Sequence, residues 1–277
     1  MTPLHSPTPD RPIRSVTAVL NFNDPEFEDS VVDDFDRSRS STRFVAHTVA
    51  IQDLRDSEEE ISLERTGFAA LRHPSACTNW FDEAEVLARY YPESAELVKR
   101  ATNASHVVAY GHVIRGRTQG APATARLPAM NAHVDNDFAT SMQVAHRLAP
   151  EELKDDFPRY RFVVINVWRP IAPVRRNPLA IVDGATVARR DLHRARLLAS
   201  RAGVKDPGGY NLSFSPEQRW YYLPDMQPDE VLLFTQVDAK SEAAQWAAHT
   251  SFDDPASAPD APERQSIEIR TVAYLPW

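Results

Sequence analysis

Residues 131–140, Asn-Ala-His-Val-Asp-Asn-Asp-Phe-Ala-Thr, put His133 and Asp135 two positions apart. In an extended strand, side chains at i and i+2 project from one face. An imidazole and a carboxylate so placed can grip one metal ion from one side. Two histidines and one carboxylate on one face of a ferrous ion leave its opposite face open to other ligands. The third ligand has to come from elsewhere, and His249, in Ala-Ala-His-Thr-Ser-Phe, is the candidate. Taken alone the pattern is weak. The chain has nine histidines, and one His-x-acid is what chance supplies. A surface turn whose His and Asp bond to backbone reads the same way.

The second stretch with chemical content is residues 264–270, Arg-Gln-Ser-Ile-Glu-Ile-Arg. Strand alternation puts Arg264, Ser266, Glu268 and Arg270 on one face. That face is either a solvated edge laced by ion pairs or the wall of a site that binds a carboxylate. Arginine suits the second use, because its planar fork pairs with a carboxylate through two parallel hydrogen bonds. Asn166 and Trp168 share a face of another strand, so either can line a pocket. Arg169 reads equally as a substrate or co-substrate contact and as a structural partner of a nearby carboxylate. Trp220, Tyr221 and Tyr222 read as core. His106 and His112, six apart, form a rival metal pair, but no acid sits on their face of the strand. Cys77 reads as a buried thiol.

The elements that must position these groups are mostly strands. Period-two patterns and β-formers predict strands at 13–22, 43–54, 105–114, 160–168, 179–182, 220–223, 230–237 and 266–275. Residues 61–71 read as extended with a turn at Gly67. Helices are expected at 81–91, with Asp82 at its start, and at 92–103, with Pro92 in its first turn. Shorter helices fit 140–148 and 150–157, and a basic helix fits 186–201. Loops are expected at 115–127, at 202–217 and at 253–263. Residues 1–12, with four prolines, read as a flexible tail, and 13–277 as a single domain. Many short strands after a mixed first half predict a mainly β fold with flanking helices around a double-stranded β-helix, or jelly-roll, core.

Composition narrows the function. The 277 residues are 42% hydrophobic and 25% charged, the profile of a globular protein. A net charge of −8 with no basic block argues against a nucleic-acid partner. The lone cysteine forbids an intrachain disulfide and fits a reducing cytoplasm. No apolar run approaches the length of a membrane span, and the first residues lack a signal-peptide pattern. Glycine-rich phosphate loops are missing. A homodimer is compatible with all of this.

His133-x-Asp135, a distal His249 and Arg264-x-Ser266 on a last strand together resemble the Fe(II)/2-oxoglutarate-dependent dioxygenases. Segments 166–171, 178–183, 229–234 and 264–270 are similar to the CmcJ/NvfI and AsaB hydroxylase/desaturase family, from about residue 43 onward. The resemblance implies a jelly-roll oxygenase whose catalytic iron is held by His133, Asp135 and His249. It implies that Arg264 and Ser266 hold the far carboxylate of 2-oxoglutarate. The interval from His249 to Arg264 is longer than the usual spacing, which leaves Arg270 as a rival for that carboxylate. Fe(II), 2-oxoglutarate and O2 are then the reagents, and a small molecule of specialised metabolism is hydroxylated or desaturated. Two other readings of the same residues stay open. One is a zinc hydrolase with a metal-bound water as nucleophile, and the other is a jelly-roll binding protein without catalysis.

Overall fold

The structure, a computed structural model, describes residues 2–4, 14–28, 30–33, 36–57, 59–116, 120–198, 203–240 and 242–277. Strands are numbered along the chain. One sheet has the order β1 (Thr2–Pro3), β5 (Phe68–Arg72), β13 (Glu230–Asp238), β8 (Tyr160–Pro170), β15 (Ser266–Pro276) and β6 (His106–Arg115), antiparallel throughout. The second runs β2 (Ser15–Asn23), β4 (Phe44–Asp53), β12 (Trp220–Tyr222), β9 (Leu179–Val182), β14 (His249–Ser251), β7 (His133–Val134), β11 (Gly208–Leu212), β10 (Leu192–Leu197) and β3 (Ser30–Val32). The two sheets face each other as a jelly roll. Between them Trp168, Leu232 and Phe234 of the first pack on Ile181 and Tyr221 of the second.

The six-stranded sheet is covered on its other face too, which explains its long apolar runs. The Asp82 carboxylate caps α1 (Glu83–Glu85) by accepting from the amides of Ala84 and Glu85. A π turn, Val86–Tyr90, carries the helix on into α2 (Tyr91–Thr102), so the two expected helices are continuous. Leu97 and Val98 of α2 pack on Ile165, Val167, Ile267 and Ile269. At the other end, Val144 and Ala145 of α3 (Phe138–Leu148) close the space between the sheets against Val164, Val272 and Tyr274.

Several expectations are corrected. The basic helix expected at 186–201 is not found over 186–198, where a 3-10 turn, Arg189–Asp191, leads into β10, which pairs with β11 and β3; 199–201 lie outside the described residues. The 202–217 loop contains β11, and Gly209 there lies against β7 so closely that a Cβ would meet the carbonyl oxygens of Val134 and Asp135 at 2.6 and 2.7 Å. His106 and His112 do not share a face. A bulge shifts the β6–β15 register between Ile269 and Arg270, and Gly111 takes it up at φ +62°. His112 then turns to Tyr91 of α2, while His106 meets Glu152, on α4 (Glu151–Lys154). In the stretch expected as a tail, Thr2 and Pro3 pair with Arg72 and Leu71, and the remainder of it apart from Leu4 lies outside the described residues. Among the described residues no helix is long and apolar enough to cross a membrane.

Candidate active site and metal centre

Two neighbouring strands bring the candidate ligands together. β14 lies between β9 and β7, and His249 stands directly opposite His133. Residues opposite one another in an antiparallel pair share a face. The two rings lie 4.5 Å apart between centroids, and Phe234 packs on His249 at 4.7 Å. Asp135 follows β7 directly, its Oδ1 3.6 Å from His133 Nε2. One ligand atom from each of His133, Asp135 and His249 lies within 4.8 Å of the others.

Each candidate ligand is held from behind. His133 Nδ1 sits 2.8 Å from the Asn131 carbonyl, so that nitrogen carries the proton and Nε2 is left free. Asp135 Oδ2 accepts from Asn166 Nδ2 at 2.8 Å and from Arg270 Nε at 3.3 Å. The Asp135 amide donates to Gln236 Oε1 at 2.8 Å. Oδ1 is thus the carboxylate oxygen turned towards the histidines. Burial would raise the Asp135 carboxyl, but the Arg270 guanidinium beside it holds it well below the usual range. Burial, then the neighbouring His133, lower His249 to about 3, so its ring is neutral and able to ligate. Glu268, 3.9 Å from His249, goes the other way: burial and the charge of Asp135 push it up to about 8.

Alongside lies a small pocket lined by His133, His249, Trp168, Arg115, Arg264 and Glu268, among others. Arg264 is buried, and its guanidinium donates to Ser251 Oγ at 2.7 Å and to the Asn177 carbonyl at 2.8 Å. It stacks over Trp168 at 5.3 Å and has no carboxylate partner among the described residues. Burial and the charge of Arg115 lower it to about 9. Arg264 Nε, Ser266 Oγ and His249 Nδ1 are buried without hydrogen-bond partners. Buried polar atoms in native sites are normally satisfied, so these mark places for a ligand. A cavity of about 1040 Å³ adjoins the centre, walled by Tyr110, Asn131, Asn211, Tyr210, Trp80 and Phe81 among others.

The remaining sequence candidates fall as follows. Asn166 and Trp168 do share the inner face, the first on Asp135 and the second under Arg264. Arg169 is on the outer face, opposite Ile267, where it contacts Tyr90 Oη, the Pro228 carbonyl and His73 Nδ1. It lines neither the small pocket nor the large cavity. Arg270 bonds Asp135 Oδ2 through Nε and Nη2, at 3.3 and 3.4 Å, and also lines the large cavity. Sequence reading missed Arg115, Asn211 and Gln236. Gln236 carried a signal, as a polar residue inside the buried run of β13.

The family described as oxidoreductase/YMDC permease-like domain matches residues 20–274. The Fe(II)/2-oxoglutarate-dependent dioxygenase nvfI of Aspergillus novofumigatus is 31% identical over 86% of this chain and 87% of that protein. The chain belongs to the Fe(II)/2-oxoglutarate-dependent dioxygenases of the NvfI and AsaB type. The hydroxylase/desaturase efuI of Hormonema carpetanum is 31% identical over 84% of this dioxygenase and 86% of its own length. A solved structure of the iron and alpha-ketoglutarate-dependent endoperoxidase NvfI superposes on it with a TM-score of 0.82, at 29% identity, covering 95% of this dioxygenase and 99% of that chain. The dioxygenase is an oxidoreductase whose reagents are Fe(II), 2-oxoglutarate and O2. The donor set fits that group: two imidazoles and one carboxylate suit ferrous iron, and a buried arginine without a counter-charge suits a dicarboxylate.

Proposed function

We propose that His133, Asp135 and His249 hold the iron, and that Arg264, with Ser266, binds the far carboxylate of 2-oxoglutarate. The observation that carries this reading is the meeting of the three ligand atoms beside a buried, carboxylate-free arginine. When bound, iron with 2-oxoglutarate and O2 supplies the oxidant for an unactivated C–H bond. The chain's own part is to orient and to exclude water. His133 is fixed through Asn131 and Asp135 through Asn166 and Arg270, so both offer one chosen atom. Phe234 and Trp168 keep the ground beside His249 and Arg264 dry, which strengthens every polar contact there. The adjoining cavity takes a small molecule of specialised metabolism for hydroxylation or desaturation. The enzyme works in the cytoplasm as one domain spanning residues 13–277, without nucleic acid, and a homodimer fits the reading. Anaerobic protein given Fe(II) and 2-oxoglutarate should develop a weak visible absorption band, and in air should form succinate. His133→Ala should lose both. Full turnover in that variant, or activity without O2 or 2-oxoglutarate, overturns the assignment.

A further inference from the structure

We propose that Asn211 is a substrate-binding donor of this centre. Its amide holds a neutral oxygen acceptor of the substrate, a ketone, lactone or ether oxygen, close to the C–H bond that is oxidised. The inference rests on the iron and co-substrate assignment above. On the nine-stranded sheet, β14, β7 and β11 lie side by side. His249 stands opposite His133, and His133 stands opposite Asn211, so the three form one row across the inner face. The two spaces at the centre divide along this row. Leu179, Thr250 and Ser251, from β9 and β14, line the small pocket on the His249 side. Gly209, Tyr210 and Asn211, from β11, line the large cavity on the other. His133 borders both. Asn211 is therefore on the substrate side, one strand spacing, roughly 5 Å, from His133.

The side chain is prepared for a ligand. Asn211 is only 2% exposed. Asn131 Nδ2 donates to its Oδ1 at 3.4 Å, which orients the amide and occupies its acceptor. Its Nδ2 is buried without a hydrogen-bond partner, although the residue borders the cavity. A buried donor left unpaired is costly, and native sites fill such places. On the other side of Asn211, His193 of β10 turns its Nδ1 to Glu28 Oε1 at 3.0 Å and does not line the cavity. A spare N–H selects an oxygen with a lone pair and rejects a group that can only donate. Val32, Ala195 and Leu197, from β3 and β10, add apolar wall beyond it, suited to hydrocarbon on that part of the substrate. An oxygen held at Asn211 sets its neighbouring carbons beside His133, and so decides which C–H bond is presented to the iron site.

The test is anaerobic equilibrium dialysis of the full-length protein, loaded with Fe(II) and 2-oxoglutarate, against two rigid probes of one shape. 2-Adamantanone accepts a hydrogen bond, and 2-methyleneadamantane puts a carbon where the ketone has oxygen. The parent protein should bind the ketone roughly three- to tenfold more tightly, the yield of one neutral hydrogen bond. Asn211→Leu, of similar volume and without the donor, should bring the ketone to the affinity of the alkene. It should leave Fe(II) and 2-oxoglutarate affinities at parent values. Asn211→Ser offers a hydroxyl donor on a shorter arm, so it should keep part of the preference; it also serves if the Leu variant fails to fold. Equal binding of the two probes by the parent, or no binding of the ketone, overturns the proposal, as would follow if Asn211 merely held a water against His193. A preference that survives in a folded Asn211→Leu protein overturns it too. So does a loss of 2-oxoglutarate affinity there, which would make Asn211 a co-substrate contact. A parent that binds Fe(II) but no 2-oxoglutarate overturns the underlying assignment instead, and this inference with it.

Discussion

Asp135 divides its two oxygens between two jobs. Oδ2 is tied to Asn166 and Arg270, and Oδ1 is left towards the histidines. Partners behind a metal ligand are worth roughly 10- to 100-fold in metal affinity. Asn166→Ala and Arg270→Gln should each weaken Fe(II) binding by about that factor, read by anaerobic titration, with little change in 2-oxoglutarate affinity once iron is saturating. Arg169, three positions from Asn166, separates fold from chemistry. Arg169→Met removes the partner of Tyr90 Oη and the Pro228 carbonyl. It should cost about 1–3 kcal/mol of stability, seen in denaturant midpoints, while KM for 2-oxoglutarate stays at the parent value.

At the scale of elements, the site depends on how closely β11 approaches β7. A methyl group at Gly209 would press on the Val134 and Asp135 carbonyls. Gly209→Ala should move the His133–Asp135 pair, costing about 1–3 kcal/mol by overpacking and weakening iron binding along with stability. That glycine pair is also where sequence reading failed, since Gly208-Gly209 resembles a loop and hides a strand. Residues 186–201 misled for a related reason. Leu192, Ala195 and Leu198 among arginines mimic a helical stripe, whereas pairing with β11 and β3 decides the outcome from outside the segment. β8 and β15 were legible because both of their faces are buried, which forces long runs of Val, Ile and aromatic residues. The inner face of Arg264, Ser266, Glu268 and Arg270 followed from alternation alone. The faces of His106 and His112 did not, because one extra residue at Gly111 reverses the count and leaves only a glycine as its trace. Arg115 stayed hidden because nothing local separates it from the other arginines. Its place in the small pocket comes from standing across from Ser266.

For the molecule as a whole, burial of the site has a cost that depends on pH. His249 titrates near 3 when folded, against 6.5 as an ordinary histidine. Between those values the unfolded chain takes up a proton that the buried ring refuses, so it binds more protons than the folded one. Stability of the metal-free protein should therefore fall as pH drops from about 6.5 towards 3 and recover as pH rises. His249→Gln should flatten this slope in denaturant titrations taken across the window. The order of the six-stranded sheet carries a different consequence. β15 is made after every other described strand, yet it lies inside the sheet, between β8 and β6. It also carries Arg264's neighbour Ser266, Glu268 and the Arg270 that steadies Asp135. Without that strand β8 and β6 would each face an open edge, and the three candidate ligands, all on the preceding part of the chain, would lack Ser266, Glu268 and Arg270 behind them.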